Sequence, residues 1–163
     1  MTDPHGQSDY QVRFDWGAAG AAAIAREAEA VVWVDVLGAE PVPELDVPVV
    51  AGRLGNAEAV AAWVLARQEE LGGRFRVAVV AAGATRPDGS LRFAVEDQLA
   101  AGAVIAAIGE VGIDHSSPEA AAAEAAYRGL RQAVRHLLTA SASARESGER
   151  PDLTPTSEVP RLR

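Results

Sequence analysis

Three acidic residues of this chain lie beside apolar segments, where an ionised carboxylate is costly unless it is paired or binds a cation. Asp35 lies within the apolar segment 31–37, and Glu96 and Asp97 precede the apolar segment that begins at Leu99. A carboxylate near the carboxyl end of a parallel strand can bind a divalent ion. Adjacent acids at a helix start can supply a metal ligand or a general base.

Each of these acids also has a purely structural interpretation. Asp35 can accept hydrogen bonds from backbone amides at a strand end, and Glu96 and Asp97 can complement a helix dipole in its first turn. The residues alone therefore leave two hypotheses open, an acidic metal site and a set of capping carboxylates.

An anion-binding turn is the second candidate feature. Residues 52–56 (GRLGN) lie between a short strand and a helix, where free backbone amides can face an anion and Arg53 is close by. An ordinary solvated charge is the alternative for Arg53. The segment GAAG at 17–20 lacks the G-x-G-x-x-G spacing and follows no convincing strand, so it is a weak phosphate signal.

Alternating strands and helices are predicted to position these residues. Apolar segments at 31–37 and 76–82, with a brief one at 49–52, are typical of buried parallel strands. Helices are predicted at 17–30, 56–71, 95–108 and 118–138, with Asp15 as N-cap of the first. We therefore predict an α/β fold with a mainly parallel or mixed sheet flanked by helices. Residues 1–10 are predicted to be a flexible tail, 11–140 a single domain and 141–163 a loosely ordered tail.

Composition excludes several classes of protein. The 163 residues carry 15 basic and 23 acidic side chains, a net charge of −8, which disfavours binding to nucleic acid or anionic lipid. No cysteine is present, so a disulfide framework and a thiolate metal site are excluded. The polar start has no secretory layout and no apolar run is long enough to span a membrane, so we expect a cytoplasmic protein.

Several short stretches, in the same order along the chain, resemble the actinobacterial branch of the 2-phosphosulfolactate phosphatase family. They are RFDWG (13–17), VWVDVL (32–37), LGNA (54–57), VAVVAAG (77–83), PDGSLR (87–92), VEDQL (95–99) and SPE (117–119). The resemblance implies magnesium-dependent hydrolysis of a small anionic phosphate monoester. It also implies that Asp35 and Glu96 are catalytic, that these two and Asp97 bind Mg²⁺, and that Arg53 and Asn56 contact the phosphorylated substrate.

The chain departs from the family pattern after its V-D-V-L segment. The family continues there with a Ser/Thr-rich loop and further strands and helices, whereas this chain has a loop at 38–48 that contains three prolines. The resemblance thus implies a reduced version of the family fold. A sheet without its central elements should expose apolar edges, so we expect a homo-oligomer. The alternative function is a catalytically inactive relative that acts as a small-ligand-binding or oligomeric scaffold protein.

Overall fold

A four-stranded parallel sheet forms the centre of the molecule. The computed structural model describes residues 3–38 and 40–163. The strands are β1 (Val12–Trp16), β2 (Ala30–Val34), β3 (Val49–Gly52) and β4 (Val77–Ala81), in the spatial order β1-β4-β2-β3. All three neighbouring pairs run parallel. The predicted α/β fold with a mainly parallel sheet is confirmed.

Helices cover both faces of this sheet. They are α1 (Gly17–Ile24), α2 (Ala57–Leu71), α3 (Val95–Glu110), α4 (Pro118–Leu130), α5 (Val134–Thr139) and α6 (Ala142–Ser147). On one face α1 and the segment 42–47 pack on Val31, Trp33 and Val80. On the other, α2, α3 and α4 pack on the alternate strand residues, such as Val32 and Val79. Since successive strand residues point to opposite faces, strands buried on both sides read as continuous apolar runs.

Helix α3 is buried on most of its circumference and lies between α2 and α4. A small antiparallel hairpin, β5 (Ala84–Thr85) and β6 (Leu91–Arg92), connects β4 to α3. Gly102 allows α3 and α4 to approach closely, because a Cβ atom there would lie 2.2 Å from the carbonyl oxygen of Ala123. The hairpin and this packing place the first turn of α3 beside the carboxyl ends of β2 and β4.

Strand β1 was not predicted. The segment GAAG at 17–20 was expected to follow no strand, but it directly follows β1. Its charged residue Arg13 is fully buried and donates hydrogen bonds to four backbone carbonyls, those of Ser8, Tyr10, Ile24 and Arg26. Burial, with the nearby Arg76 charge, lowers the pKa of Arg13 from its usual range. These bonds tie the end of α1 to the start of the chain.

The first described residues are packed, contrary to the prediction of a flexible tail over 1–10. Residues Pro4–Gly6 form a 3-10 turn. The buried Gln7 amide donates to the carbonyl of Phe14 at 2.8 Å and accepts from its N–H at 3.0 Å. Met1 and Thr2, the rest of the predicted tail, lie outside the described residues.

The C-terminal segment is held by backbone hydrogen bonds, whereas a loose tail was predicted from residue 141. After α6 comes the C-terminal strap, residues 149–163, whose last residues pair antiparallel with β3. The N–H of Leu162 donates to the carbonyl of Val49 at 2.7 Å, and the N–H of Ala51 donates to the carbonyl of Pro160 at 2.8 Å. Gly55 lets the strap approach, because a Cβ there would lie 2.1 Å from the carbonyl oxygen of Thr154.

Both edges of the sheet therefore meet other parts of the same chain, by backbone at β3 and at Val12 of β1, and by the Gln7 side chain at Phe14. The strap pairs with β3, while the N–H of Val12 in β1 donates to His115 at 3.0 Å and its carbonyl accepts from Ser117. An oligomer was expected because the edges should be exposed, and this structure removes that reason.

The predicted helix at 118–138 is also divided, by a 3-10 turn at Arg131–Ala133 that follows Gly129. Glycine weakens a helix at such a position.

Candidate active site

An acidic cavity of about 370 Å³ lies at the carboxyl ends of β2 and β4. Asp35, Glu96 and Asp97 all line it, as the sequence interpretation required of a shared site. Asp35 directly follows β2, and the other two occupy the first turn of α3. Parallel sheets bring the carboxyl ends of their strands to one edge, which explains why residues so distant in sequence meet here.

Asp97 joins the ends of two strands. Its Oδ1 accepts a hydrogen bond from the N–H of Val36 at 2.8 Å, and its Oδ2 accepts one from the N–H of Gly83 at 2.9 Å. Burial raises the pKa of Asp97 to about 8, and the charges of Asp35 and Glu96 add to this, although both hydrogen bonds act in the opposite direction. Asp97 is 2% exposed and both of its oxygens accept backbone hydrogen bonds, so its role in the structure is to hold the two strand ends, and the metal contact stays a prediction.

Asp35 organises the loop that follows β2. Its Oδ1 accepts from the N–H of Gly38 at 2.9 Å and its Oδ2 accepts from the N–H of Glu40 at 2.8 Å. Glu40 in turn accepts from the hydroxyl of Thr85 in the hairpin, at 3.0 Å. The capping role foreseen for Asp35 is therefore present. Asp35 also lines the cavity, together with Glu96.

Glu96 is the most unusual side chain of the site. The residue is only 3% exposed, and within the described part of the chain its buried Oε2 has no hydrogen-bond partner. Burying a carboxylate oxygen without a partner is costly. Its position in the first turn of α3 offsets part of that cost through the helix dipole. A cation in the cavity would supply the missing interaction.

These residues could supply only part of the coordination of a magnesium ion, and water and substrate would complete it. Among the residues that the structure describes, no group of three or more His, Asp or Glu side chains is placed to hold a metal ion. Magnesium sites in proteins commonly use one or two carboxylates, several waters and the phosphate of the substrate. Asp35 and Glu96 match that smaller set.

A second cavity of about 210 Å³ adjoins the first and shares Asp35, Leu37 and Gly38 with it. Arg53, which is exposed, lines this second cavity together with Asp152 of the strap. Hydrogen bonds from Thr154, and to a smaller extent the charge of Arg53, lower the pKa of Asp152. Arg53 is therefore beside the site and accessible to an anion.

Asn56 does not reach either cavity. It is 1% exposed, its Oδ1 accepts from the N–H of Arg53 at 2.7 Å, and its Nδ2 donates to the carbonyls of Ala51 and Glu158 at 3.0 and 3.1 Å. These bonds use both amide hydrogens. Asn56 is thus a structural residue that ties the strap to β3, contrary to the expectation that it contacts substrate.

Residues from α6 and the strap form a wall of the site that the sequence did not predict. Glu146, Ser147 and Glu149 line the first cavity, and Asp152 and Leu153 line the second. Their Ser-, Pro- and Glu-rich context is typical of solvated tails, and it gave no sign of long-range pairing.

The chain matches no protein-family model, and no curated protein shows significant similarity to it. Within the described residues, no helix has the length and apolar character that crossing a bilayer requires.

Proposed function

We propose that this chain is a magnesium-dependent phosphatase that hydrolyses a small phosphate monoester, as its resemblance to the 2-phosphosulfolactate phosphatase family implies. The observation that carries the proposal is the common cavity of Asp35 and Glu96 at the carboxyl end of a parallel sheet. Ligands of open α/β sheets bind in this place. The unpartnered oxygen of Glu96 is the feature that favours a cation there.

Each residue of the site has a distinct role in this proposal. Asp35 and Glu96 would hold Mg²⁺, which when bound polarises a phosphoryl oxygen and lowers the pKa of a bound water. Glu96, buried at a helix N-terminus, would direct its unpartnered Oε2 to the ion and so act on the attacking water through it. Arg53, in the adjoining cavity, would donate to the phosphate oxygens. Asp97 positions both strand ends without contacting the substrate.

Thermal unfolding with and without Mg²⁺ tests the cation site. A ligand at 100 times its Kd stabilises the native state by about 2.7 kcal/mol, which for a chain of this size raises Tm by roughly 5–10 °C. We expect Asp35→Asn and Glu96→Gln to abolish the increment. The exposed Glu69 of α2 provides the matched control, and Glu69→Gln should leave the increment unchanged.

Hydrolysis of an aryl phosphate tests the activity itself. We expect turnover that requires Mg²⁺ and falls at least a hundredfold in Glu96→Gln. A protein whose Tm does not respond to millimolar Mg²⁺, and which shows no turnover, would contradict the proposal.

A non-catalytic ligand-binding relative is the second candidate function. The negative charge of the first cavity favours this candidate, since no lysine, arginine or histidine is among the described residues that line the cavity. Phosphoryl transfer depends on cationic groups around three oxygens, and Arg53 is the cationic group that the adjoining cavity supplies. Cation binding without turnover in the two assays would select this candidate.

A further inference from the structure

The turn that carries Arg53 and the C-terminal strap are packed together as one unit. The N–H of Arg53 donates to Oδ1 of Asn56 at 2.7 Å, and Nδ2 of Asn56 donates to the carbonyl of Glu158 at 3.1 Å. The N–H of Thr156 donates to the carbonyl of Gly55 at 2.9 Å. These hydrogen bonds fix the position of the strap relative to Arg53.

Within this unit the strap places a carboxylate beside Arg53. Asp152 lines the second cavity together with Arg53, and the N–H of Thr154 donates to its Oδ1 at 2.9 Å. The carbonyl of Thr154 lies against Gly55, where a Cβ atom would be only 2.1 Å from it. Hydrogen bonds from Thr154 lower the pKa of Asp152, and the nearby charge of Arg53 lowers it further. The chain itself thus supplies an anion to the cavity that Arg53 lines.

The pair of Arg53 and Asp152 contributes little to holding the strap in place. Both residues are exposed, and opposite charges on a protein surface are worth little to stability. The pair affects instead what else Arg53 can bind. Among the described residues that line the second cavity, Arg53 is the single basic one. An incoming anion and Asp152 therefore depend on the same guanidinium group.

Resting on the proposed role of Arg53 in holding phosphate, we propose that Asp152 competes with the phosphate group of the substrate for Arg53. The docked strap then makes an autoinhibitory contact, which lowers the affinity of the second cavity for anions. Two changes release this contact. They are neutralisation of Asp152 and displacement of the strap from the turn, and each should raise the affinity for phosphate.

Titration with inorganic phosphate, without added Mg²⁺, tests this inference. The amide NMR signals of residues 53–55 report binding at Arg53 itself, and a chain of 163 residues is small enough for such spectra. Asp152→Asn removes the charge but keeps an oxygen that can accept from the N–H of Thr154, so the strap stays docked. We expect this variant to bind phosphate roughly threefold more tightly than the wild type, which is the size of effect typical of one interaction between exposed charges.

Two further variants separate the contact from the overall charge of the protein. Asp114 is exposed and lies close to Ser116, which pairs with β1 at the sheet edge opposite to β3. Asp114→Asn therefore removes the same charge far from Arg53 and should leave the phosphate affinity unchanged. In Arg53→Gln the signals of residues 53–55 should not respond to phosphate, and adding Asp152→Asn should not restore the response.

Gly55→Ala tests the contact without changing any charge. Its methyl group would meet the carbonyl of Thr154 and displace the strap, so this variant should also bind phosphate more tightly. Gly73→Ala introduces a methyl group into open space and should bind as the wild type does. Combining Gly55→Ala with Asp152→Asn should give no more than the larger of the two single effects, because both substitutions remove the same contact.

Equal or weaker phosphate binding by the Asp152→Asn variant, an equal gain in Asp114→Asn, or the absence of phosphate-dependent shifts at residues 53–55 would each overturn the inference. Turnover of aryl phosphate with Mg²⁺, combined with an unchanged phosphate affinity in Asp152→Asn, would retain the proposed function and reject the autoinhibitory contact. Tighter phosphate binding by Asp152→Asn without turnover would retain the contact and reject the proposed function.

Discussion

The free energy of unfolding, measured without added Mg²⁺, should fall as the pH rises from 5.5 to 7.5, because of Asp97. Its folded-state pKa of about 8 lies above the ordinary value of 3.8, so the native state binds this proton more tightly than the unfolded state does. The stabilisation by this proton is fully present below the pKa of Asp97 in the unfolded state, and it is lost as the pH approaches the pKa in the folded state. Between these two values the slope approaches 1.4 kcal/mol per pH unit. Over two units, Asp97 alone should therefore cost the folded state up to about 3 kcal/mol.

Urea denaturation at pH 5.5, 6.5 and 7.5, in buffer with a chelator, measures this slope. Asp97→Asn provides the comparison, because the amide cannot ionise. The variant loses one of the two strand-end hydrogen bonds, since an amide NH₂ faces one of the two N–H groups, at a cost of about 1–3 kcal/mol. That cost does not depend on pH. The difference in unfolding free energy between wild type and variant should thus shrink as the pH rises. A constant or growing difference would refute the assignment of the raised pKa to Asp97.

Three further substitutions test the packing that positions the site. Gly102→Ala places a methyl group against the carbonyl of Ala123 and should destabilise the fold by about 1–3 kcal/mol, measured by urea denaturation. Asn56→Ala removes three hydrogen bonds and leaves their buried partners unpaired, which should cost about 2–4 kcal/mol in the same assay. Gly55→Ala should displace the C-terminal strap at Thr154, and faster proteolysis within residues 149–163 would show the displacement. As controls, Gly109→Ala and Gly73→Ala introduce a methyl group into open space and should not destabilise the fold; losses equal to those at Gly102 and Gly55 would contradict the steric argument.

The sequence was sufficient to predict the strands that are uniformly apolar. Strands β2 and β4 contain only Ala, Val and Trp residues, so their burial on both faces is visible in composition. Strand β1 has the sequence VRFDW, and its two charged residues obscured it. Arg13 is buried there because it meets four backbone carbonyls, those of Ser8 and Tyr10 before it and of Ile24 and Arg26 after α1. Such compensation is a property of the tertiary structure.

The candidate site, too, could be predicted only in part from the sequence. The meeting of Asp35 and Glu96 follows from a general rule about parallel sheets, and it was foreseeable. The roles of Asp97 and Asn56 were not, because each is decided by which backbone groups lie within hydrogen-bonding distance. The wall formed by Glu149 was hidden for a related reason. The strap is held by main-chain pairing with β3, to which side-chain composition contributes little.

Detachment of the C-terminal strap from β3 should open both cavities at once. It contributes Glu149 to the first cavity and Leu153 to the second before it pairs with β3. Contacts between segments so distant in sequence tend to form late in folding, and a segment held by a few backbone bonds opens well below the global unfolding free energy. The amides of Thr156 and Leu162 should therefore exchange with solvent deuterium earlier than those of β4. A ligand that touches both walls should slow their exchange together, so that occupancy can be followed without any assay of turnover.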